Sequence, residues 1–125
     1  MFEEADLIHR YTRADAIRDG VLIDVSATAS EAGFKFPVAL TAAVHAKCVK
    51  VPPGVECQSE TGRLWDVLVI LLFAIRGSNG SEVRFALHVR NDNRDRTPPL
   101  VRLKALCGPG DEGEPVVTIL MPDED

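Results

Sequence analysis

Hydrophobic and polar positions change period several times along the chain. The run VLIDVS, residues 21 to 26, alternates, with Val21, Ile23 and Val25 on one side and Leu22, Asp24 and Ser26 on the other, as in a strand with one wetted face. Before it, Thr12 and Asp15 stand at capping-box spacing and Gly20 can take the left-handed stop, so residues 13 to 19 are predicted to be a short helix. SATASEAGF has a serine at a cap position and Gly33 at a stop position, which fits one helical turn or a loop. FPVALTAAVHAKCV opens with Pro37 at a favourable first helical position and continues with Ala and Leu at helical spacing, predicting a helix from about 37 to 49. KVPPGVECQ is a surface loop. In SETGRLWDVLVILLFAIRG, Leu64, Leu68, Leu71, Leu72 and Ile75 share one helical side while Trp65, Val69 and Phe73 occupy another. A helix apolar so far round is expected to be covered on both sides, by a sheet and by the preceding helix or a second subunit.

The remainder is strand-like. EVRFALHVR sets Val83, Phe85, Leu87 and Val89 against Arg84, Ala86, His88 and Arg90; LVRLKALC sets Val101, Leu103 and Ala105 against Arg102 and Lys104; PVVTILM completes a meander. NDNRDRTPP and GPGDEGE are its turns, and the tail PDED is expected to be frayed. A short helix, a strand, two longer helices and three strands predict one α+β domain over residues 1–125: a mostly antiparallel sheet of about four strands with two main helices on one face. On that plan Asp24 lies on the opposite, polar face with Arg84, His88, Arg90, Arg102 and Lys104, where cross-strand pairs can compensate a carboxylate. This face, with Trp65 as a contact residue, is the leading candidate for binding an anionic group or a partner. A solvated face held by ordinary charge pairs is the plainer reading of the same residues.

A chain of 125 residues, 46% apolar and 26% charged, can bury one sizeable core. The formal charge of −5 argues against a basic nucleic-acid footprint and leaves association with a basic partner open. MFEEADLIHRYTR carries acids where a secretory signal carries positive charge, so a cytoplasmic protein is expected. The apolar run VLVILLFAI is about half of the roughly 20 residues a membrane span needs, and Cys48, Cys57 and Cys107 lack CxxC pairing.

Few motifs carry chemistry. GPGDEG matches GxGxxG literally, yet it lies between strands, contains Pro109, which has no N–H to donate, and sets Asp111 and Glu112 where a phosphate would sit; a hairpin loop explains it better. His45 and Cys48 with Cys57 or Cys107 would make an N/S zinc set of poor specificity beside buried, inert cysteines. HAK lacks the glutamate of the zinc deaminases, and no GxSxG turn exists; Asp24 with His88 is the acid/base pair to inspect. No motif requires a cofactor or a metal.

His9 and Tyr11 in LIHRYT, ahead of Thr12 and a helix, resemble the first-strand element of ADP-ribosyltransferases, over about one-tenth of the chain and without a supporting glutamate motif. That resemblance implies a small nucleotide- or NAD-using enzyme with His9, Tyr11 and Arg13 near the ligand. Over nearly the whole chain, YTRADAIRDGVLIDVS, FPVALTAAVHAKCV with GRLWDVL, and LKALCGPGDEGEPVVTILMPDED resemble an uncharacterised family of small bacterial proteins carried on phages, plasmids and integrated mobile elements. The resemblance implies an accessory protein acting inside a bacterial cell and supplies no catalytic residues. The leading expectation is a non-enzymatic protein that binds, and inhibits, a host or defence-system protein; the NAD-using enzyme is the alternative, and a homodimer through the second face of the long helix is a third reading.

Overall fold

The computed structural model describes residues 11–124. The elements are α1 (Arg13–Arg18), β1 (Leu22–Asp24), α2 (Ser26–Ala32), β2 (Val38–Thr41), α3 (Ala42–Val44) running into a π-helical turn (His45–Val49), α4 (Glu60–Arg76), β3 (Glu82–His88), β4 (Leu100–Pro109) and β5 (Pro115–Leu120). The strands form one mixed sheet in the order β1-β2-β5-β4-β3, with β2 parallel to β5 and the other neighbours antiparallel. The class is α+β as the patterning predicts, but the sheet has five strands and includes a parallel pair.

The fifth strand comes from the segment expected to be helical from 37 to 49. Val38, Ala39, Leu40 and Thr41 are all buried, so a strand covered on both faces shows no alternation and cannot be told from a buried helix by periodicity. Only residues 42 to 49 are helical, and they end in the wide π turn, where the Lys50 N–H donates to the His45 carbonyl at 2.8 Å. The first strand is shorter than its alternation implies. The Asp24 carboxylate accepts from the Ser26 N–H at 3.1 Å and the Ser26 hydroxyl at 2.6 Å, turning the chain into α2. SATASEAGF is thus a helix, and Gly33 closes it at a φ of 117°, a conformation that favours glycine. The Thr12–Asp15 capping box of α1 forms as expected.

Pairing register and burial define the two faces. Val38, Leu40, Val83, Phe85, Leu103 and Ile119 pack with Ala29, Val44, Cys48, Val67, Leu68 and Leu71 into one core under α2, α3 and α4. Complete burial of a Leu or Ile side chain there contributes roughly 1.5 to 3 kcal/mol. The outer face is not helix-free. α1 lies over it: Ala16 is buried, as are Ala39, Val116 and Leu120 outside the main core, and Arg13 Nη2 donates to the Val117 carbonyl at 2.9 Å. Nor is the tail frayed up to Glu124, whose carboxylate accepts from the Met121 N–H at 2.8 Å and the Thr41 hydroxyl at 2.7 Å. On α4, Trp65 and Phe73 remain exposed at 40% and 66%, so the second apolar side is not fully covered within one chain. No helix among the described residues is long and apolar enough to cross a membrane.

Candidate functional site

The paired hairpin β3–β4 brings four of the expected surface residues together. Arg84 pairs with Lys104, Ala86 with Arg102 and His88 with Leu100, so Arg84, His88, Arg102 and Lys104 share the outer face. Arg84, His88 and Arg102 are exposed, and Arg84 and Arg102 border a hollow of about 480 Å³ whose rim also includes Pro122. Glu82 accepts from Arg84 Nε at 3.0 Å, while His88 Nδ1 lies 2.7 Å from the Pro98 carbonyl and donates its proton there. Lys104 is different: it is 6% exposed, so it belongs to the covered part of the face and not to the open surface the alternation implies. Arg84 and Lys104 stand directly opposite each other on neighbouring strands, and the Glu82 carboxylate offsets the charge of Arg84.

Backbone polarity adds to the hairpin. Ser81 accepts from the Cys107 N–H and the Val89 N–H donates to Pro99, so the odd-numbered residues of β3 bond to β4. By the alternation of antiparallel pairing, the N–H and C=O groups of Glu82, Arg84, Ala86 and His88 point away from β4, along an edge that no other strand among the described residues covers.

Two residues expected in this surface are elsewhere. Asp24 occupies the opposite edge strand, in register through Ala39, Thr118 and Leu106 with Glu82, four strands away from β3; it turns the chain into α2 and borders a small hollow with Arg13, Asp111 and Glu114. Asp24 and His88 therefore form no acid/base pair. Trp65 sits on α4, behind the sheet, beside a hollow near Cys57 and Ser59. The order of strands, which alternation does not encode, separates them.

Of the alternative ligand set, His9 lies outside the described residues. The Tyr11 hydroxyl donates to Asp19 at 3.0 Å. Arg13 is a structural tie: its guanidinium donates to Thr118 and Val117, and its own N–H and that of Ala14 donate to the Asp111 carboxylate at 2.7 and 3.0 Å. The GPGDEG turn thereby caps α1 with an acid, a favourable charge at a helix N-terminus. Burial lowers the Arg13 pKa, partly offset by Asp24, Asp111 and Glu114.

Arg63 was not singled out by pattern, yet it is 6% exposed and bonds to the carbonyls of Cys48, Lys47 and Arg90 and to the Asn91 side chain. It secures the end of the π turn, where helical carbonyls lack partners. Its neighbour Trp65 gave no hint of this, because an Arg on the first turn of a helix ordinarily reads as solvated. Cys48 is buried, Cys57 exposed and Cys107 half-buried; His45 Nε2 lies 3.9 Å from Glu60, and no metal-binding group of three His, Cys, Asp or Glu residues gathers among the described residues. Burial raises the pKa of Cys48 and Cys107.

Charge along the sequence carries a signal that net charge hides. Residues 84 to 104 hold six cationic and two acidic side chains, a net +4 within a chain of −5, so the remainder carries −9. Within this stretch Arg90 donates to the carbonyls of Arg94 and Arg96, and Arg96 pairs with Asp92 at 2.9 Å, shaping the long β3–β4 loop beside the open face.

A family model described as a family of unknown function, DUF6573, matches residues 1–125. No curated protein and no solved structure matches the chain.

Proposed function

The chain belongs to this family of unknown function, and we propose that it is a non-enzymatic accessory protein that binds, and thereby inhibits, a partner protein through the cationic half of its outer sheet face. The observation that carries this reading is the grouping of Arg84, His88 and Arg102, all exposed, on the hairpin that bears the +4 segment of an otherwise acidic chain. Such a charge arrangement steers encounter with an acidic surface and fixes its orientation. The open edge of β3 lies beside the cations and offers main-chain donors and acceptors to an extended segment. The −9 carried by the remainder disfavours a nucleic-acid backbone as the anion, because phosphate binding relies on cations along the whole footprint. Its resemblance to proteins of phages, plasmids and mobile elements supports a host or defence-system protein in a bacterial cell as the target.

A tagged copy expressed in a bacterial host and recovered gently tests this. Proteins retained by the wild type should be lost from the Arg84→Glu/Arg102→Glu variant, which alters only exposed side chains and should keep its circular dichroism and melting behaviour. Retention of the same partner by the folded double variant refutes the surface.

A further inference from the structure

Away from the cationic hairpin, the surface opens where the β4–β5 turn meets the C-terminal end of α4 and the segment after α2. The cleft measures about 750 Å³, within the range of sites that enclose small ligands. Phe34, Phe36, Leu72, Ile75, Pro115 and Val117 supply apolar walls. Among the described residues Lys35 and Arg76 are its charged residues, and no carboxylate lines it. Neither cation is ion-paired with a described residue. Arg76 is held at the rim, its guanidinium carbon 5.8 Å from the centroid of the exposed Phe73 ring.

We propose that this cleft binds a small amphipathic carboxylate: an acyl or aryl body against the apolar walls and one anionic group met by Lys35 and Arg76. The two requirements come from different parts of the fold. The apolar walls remove hydrocarbon from water, which any hydrophobe would exploit. The two cations, which meet no acid among the described residues of the lining, select the sign of the head group. Gly33 lets the wall approach closely, since a Cβ at that position would meet Leu72 at 3.2 Å. Cys107 lies within the cleft and supplies a reporter, because its thiol is half-buried while Cys57 is exposed on another part of the surface. This inference is independent of the partner-binding reading, since the cleft shares no residue with the Arg84–Arg102 hollow.

Calorimetric titration of the full chain with octanoate, decanoate and decylammonium, all below their micellar concentrations, tests it. Decanoate should bind saturably, about tenfold more tightly than octanoate given the threefold to fourfold gain per added methylene, and decylammonium should bind at least tenfold more weakly than decanoate. Lys35→Glu/Arg76→Glu, which changes two exposed residues, should weaken decanoate at least tenfold and reverse the head-group preference. Ile75→Trp, which fills the cleft, should remove binding of both anions. Alkylation followed by mass spectrometry should show decanoate slowing modification of Cys107 and not of Cys57. The proposal is overturned by an absence of saturable binding, by equal affinity for the ammonium probe, or by decanoate binding unchanged in the folded charge-reversed variant. It is also overturned if sedimentation shows a dimer whose contact occupies the cleft and excludes the probe. If Ile75→Trp fails to fold, the charge-reversed pair and Cys107 protection decide the matter.

Discussion

Replacing Arg63 with methionine removes the guanidinium while keeping a long, flexible apolar stem in the same space. In the native chain Nε donates to the Cys48 carbonyl at 3.0 Å, one terminal nitrogen donates to Arg90, and the other donates to Lys47 at 3.2 Å and to Asn91 Oδ1 at 2.7 Å. Bonds from a charged donor contribute about 1.5 kcal/mol or more each, and three good ones outweigh the roughly 1 to 2 kcal/mol recovered by burying the thioether chain. The expected loss is therefore about 3 kcal/mol, a large part of the 5 to 15 kcal/mol typical of a folded domain. Urea unfolding followed by circular dichroism should show the midpoint falling by about 2 M with the slope unchanged, for a slope near 1.5 kcal/mol/M. Arg63→Lys should fall in between, because one ammonium cannot reach four acceptors spread over the π turn and the β3–β4 loop. Arg18→Met, at an exposed arginine whose side chain is 70% accessible, should leave stability nearly unchanged and serves as the control. A loss below about 1 kcal/mol in Arg63→Met would refute the argument, because it would mean that water replaces the guanidinium at those carbonyls without penalty.

Further measurements probe other parts of the fold. Gly33→Ala forces an L side chain into a φ of 117° and toward Leu72, and should cost about 1 to 2 kcal/mol in thermal or urea unfolding. Thr41→Val removes the hydroxyl that accepts from the Val44 N–H at 3.3 Å and donates to Glu124 at 2.7 Å, so a loss of about 1 to 2 kcal/mol is expected, accompanied by faster amide exchange at Val44. The Thr12 backbone N–H, then its hydroxyl, and Arg18 hold the Asp15 carboxyl below its ordinary pKa, as the Arg94 N–H and Arg96 do for Asp92. A depressed folded value means that the stabilisation is complete above the unfolded pKa of about 3.9 and is lost as pH falls through the folded value; Asp15→Asn should lower the melting temperature at pH 7 and much less at pH 2.5. Thiol alkylation at pH 7 should proceed at exposed Cys57 first, Cys107 next and Cys48 last, and rapid reaction of Cys48 in the native protein would contradict its burial.

Particular residues show what patterning can and cannot carry. β3 and the first part of β4 were legible because Val83, Phe85, Leu87, Val101 and Leu103 form one apolar row, so alternation reports the buried side directly; β5 is buried on both faces, at Val116 and Leu120 as well as at Val117 and Ile119. β2 was not, because Val38 to Thr41 are covered on both faces and the contrast that reveals a strand is absent. The candidate surface divides in the same way. The parity of Arg84, His88 and Arg102 places them on one face from sequence alone, but whether another strand lies beside them depends on strand order. That order separated Asp24 from them, while burial removed Lys104 from the open surface. The +4 segment was present in the sequence and lost only in the net charge.

What the amino-acid sequence determined by itself is local: where α1 is capped, where α4 runs, which residues of β3 and β4 share a face, and the α+β class that follows from their order. Those features depend on contacts between residues a few positions apart, whose geometry a helix or strand period fixes. Tertiary structure alone decided that β2 and β5 run side by side in parallel, that Asp24 and Arg84 stand at opposite edges, that Arg63 closes the π turn, and that Phe34, Arg76 and Pro115 border one cleft. Each of these joins segments distant in the chain, and their proximity follows from how the sheet buries its faces collectively, which no single period records.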